Sequence, residues 1–236
     1  SGKMSGNWNM SLISALTARE NALIDYEGQR FQQEVEPLTY YGVFRSLKEF
    51  NQGHRGVGIL ATTVVRDLRF EPLATLLTDK AFALALDGWT FLDQDRNWVL
   101  SGWLGGTYLH GSQEAIFQIQ QSSLHYFQRP DASHLGLKEN ATSLLGWGGR
   151  FQINKQKRRT LINFSLGALS PGFDPNDAGF QFGGSDLINW SFVFGYLWPH
   201  PTKITREAVV AAGPFQSYDF GGNKTWEGFL VLVKGR

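Results

Sequence analysis

Ile188–Trp198 reads INWSFVFGYLW. Ile188, Trp190, Phe192, Phe194, Tyr196 and Trp198 fall on every second position, with Asn189, Ser191, Val193 and Gly195 between them. Side chains two apart share one face of a strand, so this segment has an apolar face and a small, mostly polar one. The same alternation spreads outward along the chain. Thr160–Leu169 sets Ile162, Phe164, Leu166 and Ala168 against Asn163, Ser165 and Gly167. Ala141–Asn154 sets Leu145, Trp147, Phe151 and Ile153 against Gly146, Gly148, Arg150, Gln152 and Asn154. Phe82, Leu84 and Leu86 share a face, as do Trp98, Leu100, Leu104 and Tyr108, and again Trp226, Leu230 and Leu232. In Thr39–Phe50 the pattern is broken, because Arg45 lies on one face and Ser46 with Lys48 on the other.

What the polar faces contain decides which way the strands look. A water-facing surface is rich in Lys and Glu, whereas these faces carry Gly, Ser, Asn and Thr. Aromatic residues recur near strand ends (Trp8, Tyr40, Tyr41, Trp89, Trp98, Tyr108, Tyr196, Trp198 and Trp226), where a membrane-interface girdle would put them. Apolar faces turned to lipid therefore fit better than apolar faces turned inward.

The connections support that reading. Asn51–Arg55, Asp93–Arg96, Lys155–Arg159 and His200–Lys203 are short polar turns. Ala18–Glu36, Arg66–Lys80, His110–Asn140, Ser170–Asp186 and Phe215–Asn223 are longer. Short turns alternating with long loops, between runs of about ten to fourteen residues, are the pattern of an outer-membrane barrel with periplasmic turns and extracellular loops. The expected strands are Asn7–Thr17, Thr39–Phe50, Gly56–Val65, Ala81–Leu92, Asn97–Leu109, Ala141–Asn154, Thr160–Leu169, Leu187–Pro199, Ile204–Gly213 and Lys224–Lys234. The predicted fold is thus an all-β, antiparallel transmembrane β-barrel of about ten strands, as one domain over residues 1–236 or as part of a larger barrel.

Composition narrows the rest. A formal net charge of +1 gives no electrostatic footprint for nucleic acid. Cysteine is absent, which removes disulfide frameworks and Cys-based zinc sites. Apolar runs stay short of the ~18 residues of a membrane helix. Mean hydropathy of −0.24 decides nothing, since a barrel alternates lipid-facing and lumen-facing residues. Ser1–Asn9 is polar and strand-like, without the character of a signal peptide, so the sequence reads as a mature fragment or a domain of a longer chain.

Five stretches carry recognisable text: Ile59–Leu68 (ILATTVVRDL), Gly111–Leu135 (GSQEAIFQIQQSSLHYFQRPDASHL), Ser170–Phe180 (SPGFDPNDAGF), Glu36–Thr39 (EPLT) and Tyr218–Gly222 (YDFGG). Together they resemble the β-barrel domain of unknown function found in Bacteroidota-type outer-membrane proteins, C-terminal to a carbohydrate-binding module. The resemblance implies a bacterial outer-membrane location and a link to glycan binding or uptake. It also implies an N-terminal carbohydrate-binding module in the full-length chain. It brings no catalytic residues.

Candidate chemistry concentrates in the longest loop, 110–140. Ser112 can cap a short helix with Glu114 in its first turn and Ile116, Phe117, Ile119 and Leu124 as its apolar stripe. Such a helix can plug the lumen or pack on the rim. Tyr126, Phe127, Arg129, Asp131 and His134 are the ligand-binding candidates: the aromatics can stack on a sugar ring, and Arg129 and Asp131 can pair across Pro130. Ser122, Ser123, His125, Asp131, Ser133 and His134 contain the residue types of a hydrolase triad, but no Gly-x-Ser-x-Gly elbow frames a serine. Asp174 and Asp177 are a weak calcium candidate lacking the spacing of a dedicated loop, so no metal or cofactor is expected. Arg150, Gln152, Asn154, Asn163 and Asn189 are the expected lumen-facing polar residues, and outer-membrane lipid is the expected partner. The reading is a non-enzymatic outer-membrane barrel, an anchor or conduit associated with glycan binding or uptake. Its rivals are an outer-membrane enzyme acting on lipid or glycan with His125 or His134 as base, and a soluble barrel holding an apolar ligand.

Overall fold

The computed structural model describes residues 2–4, 6–157, 159–177, 179, 181, 183–198 and 207–235. Its strands are β1 (Gly2–Met4), β2 (Trp8–Thr17), β3 (Glu20–Tyr26), β4 (Gln29–Glu36), β5 (Leu38–Phe50), β6 (Arg55–Asp67) and β7 (Thr78–Phe91). They continue as β8 (Trp98–Gly111), β9 (Ser143–Lys155), β10 (Thr160–Leu169), β11 (Leu187–Trp198), β12 (Ala208–Tyr218) and β13 (Lys224–Gly235). Eleven of these make one antiparallel sheet in the order β1-β2-β5-β6-β7-β8-β9-β10-β11-β12-β13. Setting aside the three-residue β1 leaves the ten long strands expected from the alternation. Each long strand pairs with its sequence neighbour, except that the separate β3–β4 hairpin projects between β2 and β5.

The sheet is open. Among the described residues, pairing ends at β13 on one side and at β1 and β2 on the other. The three residues of β1 pair with Trp8, Asn9 and Met10, so they cover only the first part of the β2 edge. The closed barrel expected from the strand pattern is therefore not formed by the hydrogen bonds present here.

Register separates the two faces without ambiguity. One row runs through Leu47, Gly58, Asp87, Trp103, Arg150, Gly167, Asn189, Ser217 and Trp226, each paired directly with the next. Gln152 pairs with Ser165 and Asn154 with Asn163 on the same face. The residues expected to line a polar lumen therefore share a surface, and the long loops fold over its upper part. The other face carries Leu12, Leu84, Leu104, Leu145, Leu166 and Phe194, from 45% to 75% exposed, and among the described residues a loop touches it at Phe220, edge-on against Trp147 at 5.8 Å. An apolar face left bare beside a polar face that is covered reverses the arrangement of a water-soluble sheet.

Three aromatics depart from the expected girdle. Tyr41, Trp89 and Trp226 lie on the covered face, because each is an even number of residues from a member of its polar row. Trp226 packs edge-on against Phe215 there, with ring centroids 5.0 Å apart. In β13 both faces are apolar: Leu230 and Leu232 share the Trp226 face, while Phe229, Val231 and Val233 lie on the bare face. The remaining expected girdle residues, Trp8, Tyr40, Trp98, Tyr108, Tyr196 and Trp198, are on the bare face.

The long connections hold more structure than their composition announced. Most of residues 18–36 forms the β3–β4 hairpin, turned by Glu27 and Gly28 at positive φ. Residues 68–77 contain the single-turn helix α1 (Glu71–Ala74). The last connection is shorter than expected, only 219–223, because β12 runs on to Tyr218. The expected turn His200–Lys203, and the beginning of the strand expected from Ile204, lie outside the described residues.

Helix α2 (Gln113–Gln121) is the expected loop helix. Ser112 caps it by accepting a hydrogen bond from the Ala115 amide at 3.1 Å, satisfying one of the free first-turn donors. Ile116 packs into a fully buried cluster with Val64, Ala81 and Leu109, all covered-face residues near the long-loop end of β6, β7 and β8. Burying such a side chain contributes about 1.5–3 kcal/mol. Gln120 fixes the other side of the helix through both amide atoms, which bond the backbone of Lys138 at 2.8 and 3.1 Å. The helix lies on the covered face at its upper end.

Candidate functional site

Beside α2, residues 170–186 press against the same face. Gly146 makes the approach possible, since a Cβ there would lie 2.1 Å from the Phe173 amide nitrogen. Phe173 then tilts against Trp103, centroids 6.1 Å apart, and the Asp174 amide donates to Thr107 Oγ1 at 3.0 Å. A bulky residue at position 146 would hold the loop off the sheet.

Three groups of charged side chains lock the loops together. In the first, His125 is fully buried. Its Nδ1 lies 2.8 Å from the Pro171 carbonyl and its Nε2 lies 3.1 Å from Asp174. Burial pushes the Asp174 carboxyl up, but His125 and the two Asn176 donors outweigh it and hold the group below its usual value. In the second group, Arg66 pairs with Asp177, which also accepts from the Thr78 hydroxyl at 3.0 Å. Asp174 and Asp177, the weak calcium pair, are thus each engaged by a different side chain, His125 and Arg66.

The third group joins three loops. Asp186, with no exposed side-chain surface, is paired with Arg129 and lies 2.9 Å from His134 Nε2. It also accepts from the Phe220 amide at 3.0 Å. Asp219, 3.5 Å from Arg129, accepts from the Asn223 amide and side chain at 2.8 and 3.0 Å. Desolvation raises the Asp219 carboxyl, yet the Asn223 donors and the charges of His134 and Arg129 bring it below its ordinary range. Gly221 is needed beside them, because a Cβ there would stand 2.4 Å from His134 Nδ1. Oxygens of Asp186 and Asp219 and a nitrogen of His134 lie within 4.8 Å of one another, a spacing a cation could bridge. Arg129 is shared between the two carboxylates, which makes the group an ion-pair latch.

The sequence candidates separate accordingly. Arg129 and His134 belong to the latch. Asp131, 76% exposed at its side chain, stands 3.5 Å from Arg129 Nε as a peripheral partner. Phe127 packs edge-on against His125 at 5.8 Å, a structural contact, while Tyr126 is exposed at a positive φ of 48°. Only Tyr126 among these offers a free ring. Arg150, Gln152, Asn154, Asn163 and Asn189 gather on the covered face as register requires, with the Asn163 side chain donating to Asn154. The triad reading finds no geometry: among the described residues, no serine hydroxyl is hydrogen-bonded to His125 or His134.

Sequence reasoning missed two features. Asp219 stands inside the recognisable stretch Tyr218–Gly222 and Asp186 at the end of the connection Ser170–Asp186, beside the weak calcium pair, and neither was matched to Arg129. Arg45, which broke the alternation of its strand, pairs bidentately with Asp87 across β6 on the covered face. The signal was available: an arginine on a face of small residues needs a carboxylate nearby.

No family model matches the chain, and no curated protein matches it. Among the described residues no helix is long and apolar enough to cross a membrane, which says nothing of crossing by strands.

Proposed function

We propose that this chain is a non-enzymatic outer-membrane β-barrel, an anchor or conduit associated with glycan binding or uptake. The observation that carries the membrane part is the bare apolar face, continuous from Leu12 on β2 to Val210 on β12, with Leu12, Leu84, Leu104 and Leu145 each more than half exposed. Such an area left to water would aggregate; turned to lipid it needs no cover. Strands of ten to fourteen residues reach across a hydrocarbon core when tilted. Lipid also requires that no strand edge stay unpaired. Ten long strands alternate in direction, so β13 runs antiparallel to β2 and the two edges are compatible for closure once β1 moves aside. The polar covered face then forms the lumen, narrowed at the long-loop end by α2 and residues 170–186. The glycan link, and a carbohydrate-binding module preceding the barrel, rest on the resemblance of Gly111–Leu135 and its companion stretches; the free ring of Tyr126 is the best placed to stack on a sugar.

Refolding into phosphatidylcholine liposomes tests this reading. The protein is expected to float with the vesicles through a density gradient and to migrate faster in electrophoresis unboiled than boiled. A stable, monodisperse monomer in detergent-free buffer would defeat it in favour of a soluble sheet. Retention on an immobilised polysaccharide, lost in Tyr126→Ala, tests the glycan association separately.

A further inference from the structure

Between α2 at the long-loop end and the Trp103 row below it, the covered face is lined by small side chains. Register places Thr62 beside Ala83 and Ala83 beside Thr107, then Leu60 beside Ala85 and Ala85 beside Gly105. Residues this small cannot fill the height left by Phe173 and Pro175 passing overhead. The result is a cavity of about 400 Å³ roofed by Phe173, Pro175 and Gly179. That size falls within the ~300–1,000 Å³ range of small-molecule pockets.

The walls define the ligand. Leu60, Ala83, Ala85, Trp103, Phe173 and Pro175 make most of the surface apolar. At one end stand Arg45 and Asp87, joined by two parallel hydrogen bonds. An ion pair that is already neutral gives an incoming carboxylate no net attraction and sets it against Asp87. A hydroxyl fits better. It can accept from an Arg45 N–H not used in the pair and donate to a spare lone pair of Asp87. We infer that this cavity is a binding site for a small, uncharged amphiphile, with its apolar body under Phe173 and its hydroxyl at the Arg45–Asp87 pair.

The site is independent of membrane insertion and can be tested in either outcome of the liposome experiment. The full chain carrying 5-fluorotryptophan is titrated with n-decanol and, separately, with n-decanoate, following the Trp103 fluorine resonance assigned through Trp103→Phe. Decanol is expected to shift that resonance saturably, and decanoate to bind at least about tenfold more weakly. The Trp98 resonance, from the bare face, should move only linearly as decanol partitions around it. Ala85→Leu should abolish the saturable shift, and the milder Ala83→Val should weaken it if the leucine variant does not fold. A linear response at Trp103, or the same affinity in a folded cavity-filling variant, overturns the site. Tighter binding of decanoate than of decanol overturns the assignment of its head group.

Discussion

The two ends of the sheet are held by different means. At the short-turn end bonds within a turn are joined by bonds to the neighbouring turn, Arg96 donating to the Gln52 carbonyl at 2.8 Å and Lys157 to the Asp95 carbonyl. Asp93 accepts from the Asn97 and Trp98 amides at 2.8 and 2.9 Å and from the Asn97 side chain. His54 Nδ1 sits 3.1 Å from the Asn51 carbonyl three residues away. At the long-loop end the partners are remote in sequence: His125 with Asp174, Arg66 with Asp177, Arg129 with Asp186 and Asp219. Turns of the first kind are linked to their neighbours through backbone carbonyls. Loops of the second kind share their acceptors, so loosening one removes a partner from another. The long-loop end should therefore dock and undock as a unit.

The largest effect expected follows from Arg129. Arg129→Met leaves Asp186 and Asp219 without their shared cation, and removing one member of a buried pair costs about 3–5 kcal/mol. That loss should fall on loop docking rather than on the strands. Hydrogen exchange at the α2 amides should accelerate strongly while the β8–β9 ladder keeps its protection. Unchanged α2 protection would show that the apolar contacts of Ile116 hold the helix alone, and the two ends would no longer differ in kind.

That contrast was half legible in the sequence. The strands were, because a period of two survives any tertiary detail: Thr160–Leu169 has the expected bounds, and most others move by one to three residues at either end. The helix was legible too, from Ser112, Glu114 and the spacing of Ile116. Which loop side chains meet was not. Arg129 and Asp219 are ninety residues apart, and their contact depends on how two loops fold over a shared face. The faces of β13 were misread for a related reason. With apolar residues on both sides, Trp226 gives no internal sign of its direction, and only its pairing with Ser217 assigns it. Closure was beyond the pattern altogether, since alternation specifies neighbours and leaves the edges unassigned.

A smaller effect should come from acid. Asp174 and Asp219 both have carboxyls held below their ordinary value of 3.8 by their partners in the docked loops. A depressed folded-state pKa gives stability that is complete above the unfolded value and lost as pH falls through the folded one. Docking should thus be intact from pH 7 to pH 5 and weaken only below about pH 4. Protection of α2 measured across that range checks the sign. Loss already between pH 7 and pH 5 would set these two carboxylates aside as its cause.

The smallest effect belongs to the short-turn end and tests its independence. Asp93 is also held below its ordinary value, chiefly by the Trp98 amide and with help from Asn97, so it accepts these bonds as a carboxylate near neutral pH. Asp93→Ala removes a local acceptor of the kind that caps a helix. Exchange at the Asn97 and Trp98 amides should rise by up to about tenfold. The turn lies at the end of the sheet away from the latch, so α2 and the amide of Phe220 should exchange as in the unaltered chain. A change at α2 of the same size as at Trp98 would mean that strain passes along β8 from one end to the other, and that the ends are coupled through the sheet they share.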